Sequence, residues 1–527
     1  MKPKHYLLLF VIALAFILVE AALLQVPGYM DAEYYYAGGS QLAAGKGFNE
    51  PFLWNFLDDP AGIPHPAFTY WMPLTSLLSG LGMFLFGKIN FFTARIFFFL
   101  IAAAIPPLVA FFSWQLSHRV LNAWLAAGLA VFSGFYAIYM GITDTFALYM
   151  LLGSLFLILA VNPRPSSSVK FLGLGLIAGL MHLARADGIL WLGCGFILVM
   201  TETGQINFSG SQKLNFAVKY LGILFLGYFL IMVPWYVRNI SLYGALFSPA
   251  SGKVLWLTDY NQMFAFPASQ LTMQNWLNSG LATALNDRFI ALGLNLQTTL
   301  AVHADIFLLP LLLLGFWRLR KTKTVQLGLA MWSLTFVVMT AVFPLAGGRG
   351  GFFHSGAAFQ PLFWAVAVDG FNGFIELGVR KRNWKFERAS KGFGLILVFL
   401  SAMVTLALFI PKVSSDETNP SPWSKSSSTY QAIDQYLVES GASGDQIVLV
   451  NNSPGYFTAT GRSAIVIPDG DVNTMMAVAR KYGASYLILE QNTVDGLRGL
   501  FQNPQSLAGL EFLRTIDQVH IFRILMP

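Results

Sequence analysis

The polar segment from residue 26 to residue 71 carries the side chains best suited to acid–base chemistry. It follows an apolar N-terminus and combines acids, tyrosines, glycines, prolines and one histidine. Asp31 lies a few residues beyond the first apolar run, where a carboxylate can be half-buried and burial can tune its pKa. The residues after Asp31 have the pattern of a short helix that ends at Gly45, so Asp31 can also cap that helix. We interpret Asp31 as a candidate general base, a role compatible with capping.

Three basic residues in later polar stretches are candidates for binding a phosphate. Arg238 ends an apolar run, Arg349 lies among four glycines, and His354 opens the next apolar run. The planar guanidinium of arginine suits bidentate contact with a phosphate. Each residue also has a simpler interpretation. Arg238 can extend from a span end to the interface, Arg349 can lie in an exposed turn, and His354 can cap a span.

A second acid, Asp144, stands at the head of another apolar run. It can act as a second catalytic acid, contact an acceptor, or cap a helix, and the sequence leaves these alternatives open. Arg185 and Asp187 lie between two short apolar runs and can simply pair with each other.

A divalent cation is a further possibility for the first loop. Asp58, Asp59 and His65 could bind one together with Asp31, because hard cations favour carboxylate ligands. No fixed ligand spacing links these residues, so we predict neither a metal nor another cofactor. The single cysteine, Cys194, excludes an intramolecular disulfide and a thiolate metal cluster.

The composition identifies the elements that position these residues as membrane helices. Of 527 residues, 55% are hydrophobic and 11% are charged, whereas a soluble domain carries about 25% charged residues. The mean hydropathy is +0.59. The net charge is +7, but Lys and Arg fall in short clusters between apolar runs. Such clusters mark cytoplasmic loops, so we predict a polytopic α-helical membrane protein that lies in a lipid bilayer and binds no nucleic acid.

About eleven transmembrane helices are predicted, near residues 7–27, 95–116, 120–140, 144–161, 169–185, 187–202, 217–237, 296–317, 325–346, 355–378 and 391–411. The basic clusters, including one at Arg164, place the N-terminus and the inner links in the cytoplasm. If the short apolar run 72–87 also crossed, every later cluster would lie outside. We therefore predict a re-entrant or interfacial helix there. The candidate site residues then all lie on the outer face of a plasma membrane.

The composition shifts after Pro411 and predicts a second structural unit. Residues 412–424 form a polar linker, and residues 425–527 alternate helix and strand patterns that end in a strand pair. We predict a transmembrane domain over residues 1–411, with its first outer loop at 28–71. A small α/β extracytoplasmic domain follows at 425–527, which is long enough to be independent.

Five short motifs occur in order along the chain: Asp31-Ala32-Glu33-Tyr34-Tyr35, His65-Pro66, Thr143-Asp144-Thr145, Pro234-Trp235-Tyr236-Val237-Arg238-Asn239, and Arg349 with Phe353-His354 and Pro361. Together they resemble the GT-C superfamily of membrane glycosyltransferases. The resemblance is closest to the protein O-mannosyltransferase and aminoarabinose-transferase branch. Ala67 stands where that branch has the second proline of a His-Pro-Pro turn. The sequence has no Trp-Trp-Asp-Tyr-Gly motif, which disfavours the oligosaccharyltransferase branch.

The resemblance implies a GT-C-like transmembrane domain and a role for each motif. Asp31 corresponds to the catalytic base and Asp144 to the second acidic site, while the stretch with Arg349 faces the donor phosphate. We also assign to substrate binding the following residues of these motifs: Glu33, Tyr35, His65, Arg238, Arg349 and His354. Enzymes of this kind take a sugar from a polyprenyl phosphate on the outer face of the membrane.

We predict an inverting glycosyltransferase that moves a monosaccharide from a polyprenyl-phosphate carrier to an extracytoplasmic acceptor, which can be a glycolipid, a polysaccharide or a protein. A single base opposite the leaving group implies inversion. A polytopic transporter or lipid flippase is the alternative, and it would place ionisable residues at mid-membrane depth. A non-catalytic membrane scaffold or receptor is the third possibility.

Overall fold

The computed structural model of the chain describes residues 1–162, 167–205, 210–415 and 420–525. Arg164 and part of the predicted linker 412–424 lie outside these residues. The chain is a multi-pass helical membrane protein. Eight helices of the described part are long and apolar enough to cross a membrane: Pro3–Leu23, Ile96–Ser117, Ser167–Ala184, Ala186–Gln205, Gly210–Tyr243, Lys323–Val342, Pro344–Arg382 and Phe386–Val413.

The other apolar runs are helical too, but they are bent or short. Val120–Val131 and Gly134–Met140 are bent by 44° and count as a ninth span if the pair is continuous. The shorter apolar helices are Leu74–Phe86, Phe146–Val161 and Leu309–Arg318. The number of eleven spans therefore stays a prediction. The re-entrant placement of run 72–87 also stays a prediction, although its helix has only 13 residues, fewer than a full crossing needs.

The predicted span 296–317 is interrupted in the structure. Helix Gly280–Thr298 continues into a π-helical turn, and the next helix begins only at Leu309–Arg318. Between them, Asp305 and Ile306 have φ angles of 40° and 60°. A right-handed helix ends where residues adopt this left-handed conformation, which costs L-residues free energy. His303, Asp305 and Pro310 interrupt the apolar pattern of this run, and Pro310 stands in the first turn of the helix that follows the break, where proline is common.

A second break lies in the long buried helix Pro344–Arg382. Gly350 has a φ of 110°, a conformation that favours glycine, and Arg349 beside it is also non-helical. The helix resumes at Phe352. The break thereby exposes Arg349, and His354 follows within the next turn.

The loop from residue 28 to residue 71, which the sequence predicts to be the first outer loop, contains one helix and three short strands. We call Met30–Ala43 the loop helix. The strands are β1 (Asn49–Glu50), β2 (Phe52–Leu53) and β3 (His65–Pro66), and β1 pairs antiparallel with β3.

Arg95 fixes the end of the first membrane helix, from which this loop departs. Its side chain is buried, and its guanidinium donates to the carbonyls of Leu24 at 2.8 Å and Ala21 at 3.3 Å. A cation at a helix C-terminus satisfies free carbonyls and complements the helix dipole. Arg95 therefore fixes the point at which the loop leaves the first membrane helix.

The chain beyond residue 420 forms the C-terminal unit, in which the predicted alternation of helix and strand is confirmed. Its helices are Lys425–Glu439, Ser453–Thr460, Val472–Tyr482 and Arg498–Gln502. Its strands are β4 (Ile447–Val450), β5 (Ala464–Val466), β6 (Ala484–Leu489), β7 (Leu510–Ile516) and β8 (Val519–Ile524). The helix Ser453–Thr460 was not predicted from the sequence.

The sheet of the C-terminal unit includes a strand from the first outer loop. Its six strands lie in the order β2-β5-β4-β6-β8-β7, and β2, β5, β4 and β6 run parallel. Phe52 and Leu53 of β2 pair with Ala464 and Ile465 of β5. The sheet is thus not confined to residues 425–527, and the C-terminal unit and the first loop share backbone hydrogen bonds.

Residues 244–279 follow the long helix Gly210–Tyr243, and we call them the outer segment after the side of the membrane that the sequence predicts for them. The segment contains short helices: Pro249–Lys253, Val254–Trp256, Tyr260–Phe264, Ala268–Gln270 and Met273–Asn278. It contacts the C-terminal unit through a bridge between Ala265 and Asp469. This segment lies over the cavity described next.

Candidate active site

A cavity of about 480 Å³ lies between the loop helix, the outer segment and the break in helix Pro344–Arg382. Its charged and histidine side chains are Asp31, His182, Arg185, Asp187, Arg349 and His354. Most of the remaining wall is aromatic or aliphatic. Four of the sequence-predicted site residues therefore line one space: Asp31, Tyr35, Arg349 and His354.

Asp31 faces His354 inside this cavity. The Oδ2 atom of Asp31 lies 3.5 Å from Nε2 of His354, and the Asp31 side chain is 28% exposed. Burial raises the pKa of the Asp31 carboxyl above its ordinary value, while His354 and Arg185 act in the opposite direction. A carboxylate with a raised pKa is a stronger base than a free aspartate, and the neighbouring Arg185 still favours its charged form.

Asp144 lies behind His354 and does not line the cavity. Its side chain is fully buried, and its Oδ1 is 3.4 Å from Nδ1 of His354. The hydroxyl of Tyr29 and the backbone N–H of Thr145 both donate to the Asp144 carboxylate. Thr145 Oγ1 also lies 3.1 Å from His354 Nδ1. Asp144 therefore contacts His354 at the ring nitrogen opposite Asp31.

The two arginines of the cavity differ in their pairing. Arg185 forms an ion pair with Asp187 at 3.0 Å, as one of the sequence alternatives proposed. Arg349 is exposed, and its guanidinium lies 5.0 Å from the centre of the Tyr260 ring. Among the described residues, no carboxylate forms an ion pair with Arg349. Its positive charge is therefore available to an anion.

Arg238, a sequence-predicted phosphate ligand, does not line the cavity. It donates through Nη2 to the carbonyl of Ala67 at 2.6 Å, and its guanidinium packs 4.5 Å from the Trp235 ring centre. It thus holds the end of the first loop against the membrane helix. Its neighbours Tyr236 and Asn239 line the cavity instead. The assignment of Arg238 to substrate binding therefore stays a prediction, since its side chain points to Ala67 and not into the cavity.

His65 and Glu33, both assigned to substrate binding, also lie outside the cavity wall. Nε2 of His65 is 2.8 Å from Oδ2 of Asp58, and both side chains are buried. Glu33 accepts a hydrogen bond from Asn452 of the C-terminal unit at 2.7 Å. Burial raises the pKa of Glu33 to about 7, an effect that the Asn452 hydrogen bond opposes. Both residues contact protein in this arrangement, so their substrate contacts stay predictions without geometric support.

An aromatic wall was missed by the sequence analysis. Trp54 and Trp71 stack with their ring centres 4.1 Å apart and an angle of 12° between the planes. Both line the cavity, as do Tyr70 and Tyr260. The signal in the sequence was the density of aromatic residues in an outer loop, but no spacing shows which of them share a wall.

No protein-family model matches the sequence, and the search of curated proteins found no match. Solved structures do match. The oligosaccharyltransferase of Archaeoglobus fulgidus, tethered to an acceptor peptide with the NVT sequon, superposes with a TM-score of 0.56 at 14% identity, over 93% of this chain and 69% of that one. The chain shares the fold of this oligosaccharyltransferase.

A second structure of the same archaeal enzyme, in complex with an inhibitory peptide and a dolichol-phosphate, has a TM-score of 0.51 at 12% identity, over 92% of this chain and 69% of that one. ArnT from Cupriavidus metallidurans covers 97% of both chains at 12% identity, with a TM-score of 0.40. At 12–14% identity the archaeal structures show a shared fold alone, so the GT-C resemblance of the motifs and the preference for one branch of that superfamily stay predictions.

In the described part of the chain, one group of side chains can hold a metal ion. Asp31, Asp144 and His354 each offer a ligand atom, and these atoms lie within 4.8 Å of one another. The metal site that the sequence suggested in the first loop, with Asp58, Asp59 and His65 beside Asp31, is not formed. Asp58 pairs with His65 instead, and Asp59 pairs with Lys253 at 3.0 Å. Two carboxylates and an imidazole suit a divalent cation.

Proposed function

We propose that this protein is an inverting glycosyltransferase that moves a monosaccharide from a polyprenyl phosphate to an acceptor outside the cytoplasm. The observation that carries the proposal is one cavity, in a GT-C fold, that is lined both by the Asp31–His354 pair and by Arg349, which has no ion-pair partner among the described residues. A base for the acceptor and a cation for a departing phosphate are the two groups that this reaction needs.

Asp31 removes the proton of the acceptor hydroxyl. The acceptor oxygen then forms a bond to the anomeric carbon of the sugar as the bond from that carbon to the phosphate oxygen breaks. The proton ends on Asp31, and the polyprenyl phosphate departs with the electron pair. Attack from the side opposite the phosphate inverts the anomeric centre.

Arg349 holds the phosphate, since its guanidinium has no ion-pair partner in the described part of the chain. Arg185 contributes less charge because Asp187 neutralises it. His354 keeps Asp31 oriented, and Asp144 holds His354 from the other side. A cation bound by Asp31, Asp144 and His354 would act as a Lewis acid toward the phosphate.

The aromatic wall of Trp54, Trp71 and Tyr70 offers flat apolar faces to the sugar. The tail of the carrier lies in a lipid-facing groove beside the outer segment, whose residues Val254 and Phe264 reach the cavity. The acceptor then enters from the outer side, next to Asp31.

Native mass spectrometry of detergent-purified Asp31→Asn protein tests the donor. We expect one polyprenyl-phosphate sugar of a panel to be retained over the others. Arg349→Ala should weaken that retention about tenfold or more, since charge-assisted hydrogen bonds to phosphate are strong. Arg320→Ala removes an exposed arginine outside the cavity and serves as the matched control.

Retention of no polyprenyl phosphate, sugar-loaded or bare, would contradict the proposal and favour a transporter of another substrate. Retention of the donor by the wild type, followed by release of the bare carrier only when acceptor is added, would support transfer.

A further inference from the structure

The sheet of the C-terminal unit has a crevice of the kind at which α/β domains bind ligands. From β4 the chain passes to β5 on one side, and from β5 it returns across β4 to β6 on the other. Ligands of such sheets bind at the carboxyl ends of the strands where the order reverses. Here these ends are Val450 and Leu489, followed by Asn451, Asn452 and Glu490.

The loop helix of the same chain lies at this crevice. Glu33, which is 3% exposed, accepts a hydrogen bond from Nδ2 of Asn452 at 2.7 Å. Oδ1 of Asn452 accepts from the N–H of Gly455 at 3.0 Å and so caps helix Ser453–Thr460. A Cβ atom at Gly455 would lie 2.7 Å from Oε2 of Glu33. Glycine at this position therefore allows the carboxylate to approach the helix N-terminus, where negative charge is favoured.

Glu33 and Asp31 point to different sides of the loop helix, because residues two positions apart do not share a helix face. Asp31 faces the cavity and His354, whereas Glu33 faces the C-terminal unit. Any rotation of the loop helix that moves Glu33 away from Asn452 also moves Asp31 relative to His354. The hydrogen bond between Glu33 and Asn452 therefore affects where the Asp31 carboxylate points.

Further bonds hold the loop on the C-terminal unit but do not fix this rotation. Ser453 Oγ donates to the carbonyl of Leu53 at 2.7 Å, and Trp423 Nε1 donates to the carbonyl of Val26 at 2.9 Å. Both reach backbone atoms outside the loop helix. Glu33–Asn452 is the side-chain hydrogen bond described between that helix and the C-terminal unit.

We propose that Glu33 and Asn452 are positioning residues, and that the C-terminal unit uses its crevice to hold the loop helix at the rotation that points Asp31 toward His354. This inference rests on the proposed function, because it assigns to the C-terminal unit a part in the same transfer reaction.

Exchanging the hydrogen-bond donor and the hydrogen-bond acceptor between Asn452 and Glu33 tests the inference. Asn452→Asp keeps the cap of helix Ser453–Thr460, since aspartate is also a favoured N-cap, but it replaces the amide that donates to Glu33 with a carboxyl group, so the hydrogen bond to the Glu33 carboxylate is lost. We expect kcat to fall about tenfold or more with the donor KM unchanged, because small misplacements of a reacting group are costly. Adding Glu33→Gln supplies an amide that donates to the new carboxylate, and we expect kcat to return to within about threefold of the wild type.

Asn451→Asp is the matched control. It adds the same charge one residue away, beside Asn492, whose amide can rotate to donate. We expect its kcat to equal that of the wild type. Hydrogen exchange over Met30–Ala43 gives a readout that does not depend on catalysis. Exchange should rise in Asn452→Asp and return toward the wild-type rate in the double variant.

The outcomes separate this inference from the proposed function. Wild-type kcat in Asn452→Asp, or a double variant as impaired as the single one, overturns the positioning role. A raised donor KM in Asn452→Asp with kcat unchanged also overturns it, since the contact would then serve binding. Full activity of Asp31→Asn overturns the proposed function itself, while the exchange data still report whether the two residues hold the helix.

Discussion

The chemistry of Asp31 depends on two opposing influences on one carboxyl group. Burial raises its pKa, and the nearby His354 and Arg185 lower it. If Asp31 is the base, Asp31→Asn removes the proton acceptor but keeps the shape of the side chain. We expect kcat to fall by about 10²–10⁴-fold, the usual contribution of a general base. A transfer assay with a polyprenyl-phosphate sugar measures this fall.

Asp59→Asn controls for the loss of a carboxylate in the same loop. Asp59 is exposed, lies outside the cavity and has a φ of 50°, which asparagine tolerates well. Its kcat should match that of the wild type. Equal loss in both variants would indicate that loop charge, rather than a base, matters for the rate.

The pH dependence of the reaction should report the same carboxyl group. The base works only when deprotonated, so kcat/KM rises with pH through the pKa of Asp31, above the ordinary value of about 3.9. His354→Gln removes a partner that lowers this pKa. The deprotonated form then persists only at higher pH, and the acidic limb of the kcat/KM profile should move upward.

Asp187→Asn provides the comparison for that shift. Asp187 pairs with Arg185, which also lowers the pKa of Asp31. Removing the negative partner should leave Arg185 more effective, so the acidic limb should stay in place or move downward. An upward shift in both variants would point to general disturbance of the site instead of the named charges.

At the scale of elements, the start of the loop helix depends on a close contact at Gly28. Its φ is 86°, and a Cβ there would lie 2.1 Å from the Trp423 ring. Gly45, at the other end of the loop helix, has a φ of 73° but has no neighbour within 4 Å of such an atom. Comparing alanine at both positions separates backbone strain from steric overlap.

We expect Gly45→Ala to lower the free energy of unfolding by about 1 kcal/mol, the cost of a left-handed L-residue. Gly28→Ala should cost about 1–3 kcal/mol more because of overpacking against Trp423. Thermal unfolding in detergent measures both. Equal effects would show that the Trp423 ring moves aside without cost.

The elements that could be predicted from the sequence are those with local causes. Apolar runs gave the membrane helices, and strand and helix periods gave the C-terminal unit, because length, hydropathy and periodicity are properties of neighbouring residues. The break at Asp305 has a local signal too, in the polar His303 and Asp305 and in Pro310 at the start of the next helix, but the leucines around Pro310 dominate the hydropathy of the run.

The remaining errors concern contacts between distant residues. The strand β2 joins a sheet some 400 positions away, as the bond from Ser453 to Leu53 shows. The side chain of Arg238 turns to Ala67 and away from the cavity. The distribution of basic clusters predicts that Asp31 and His354 lie on the same side of the membrane. It does not predict which basic side chain reaches the cavity.

At the scale of the whole molecule, the basic clusters predict an orientation in the membrane, and this prediction is open to a direct test. Cys194 is buried and is the single cysteine, so Cys194→Ala gives a background without thiols. In that background we expect Gln491→Cys, on the C-terminal unit, to react with a membrane-impermeant maleimide in intact cells. Lys381→Cys, in a basic cluster, should react only after permeabilisation. Both positions are exposed.

The same experiment decides the role of helix Leu74–Phe86, which sets the sidedness of everything after it. Lys88 and Arg119 are exposed and flank the next membrane helix, Ile96–Ser117. If Leu74–Phe86 stays on the outer side, Lys88→Cys reacts in intact cells and Arg119→Cys does not. The reverse pattern would make Leu74–Phe86 a span and contradict the cytoplasmic placement of the basic cluster at Arg119. With 13 residues, that helix is about 20 Å long, and the hydrocarbon core is about 30 Å thick, so we expect the first pattern.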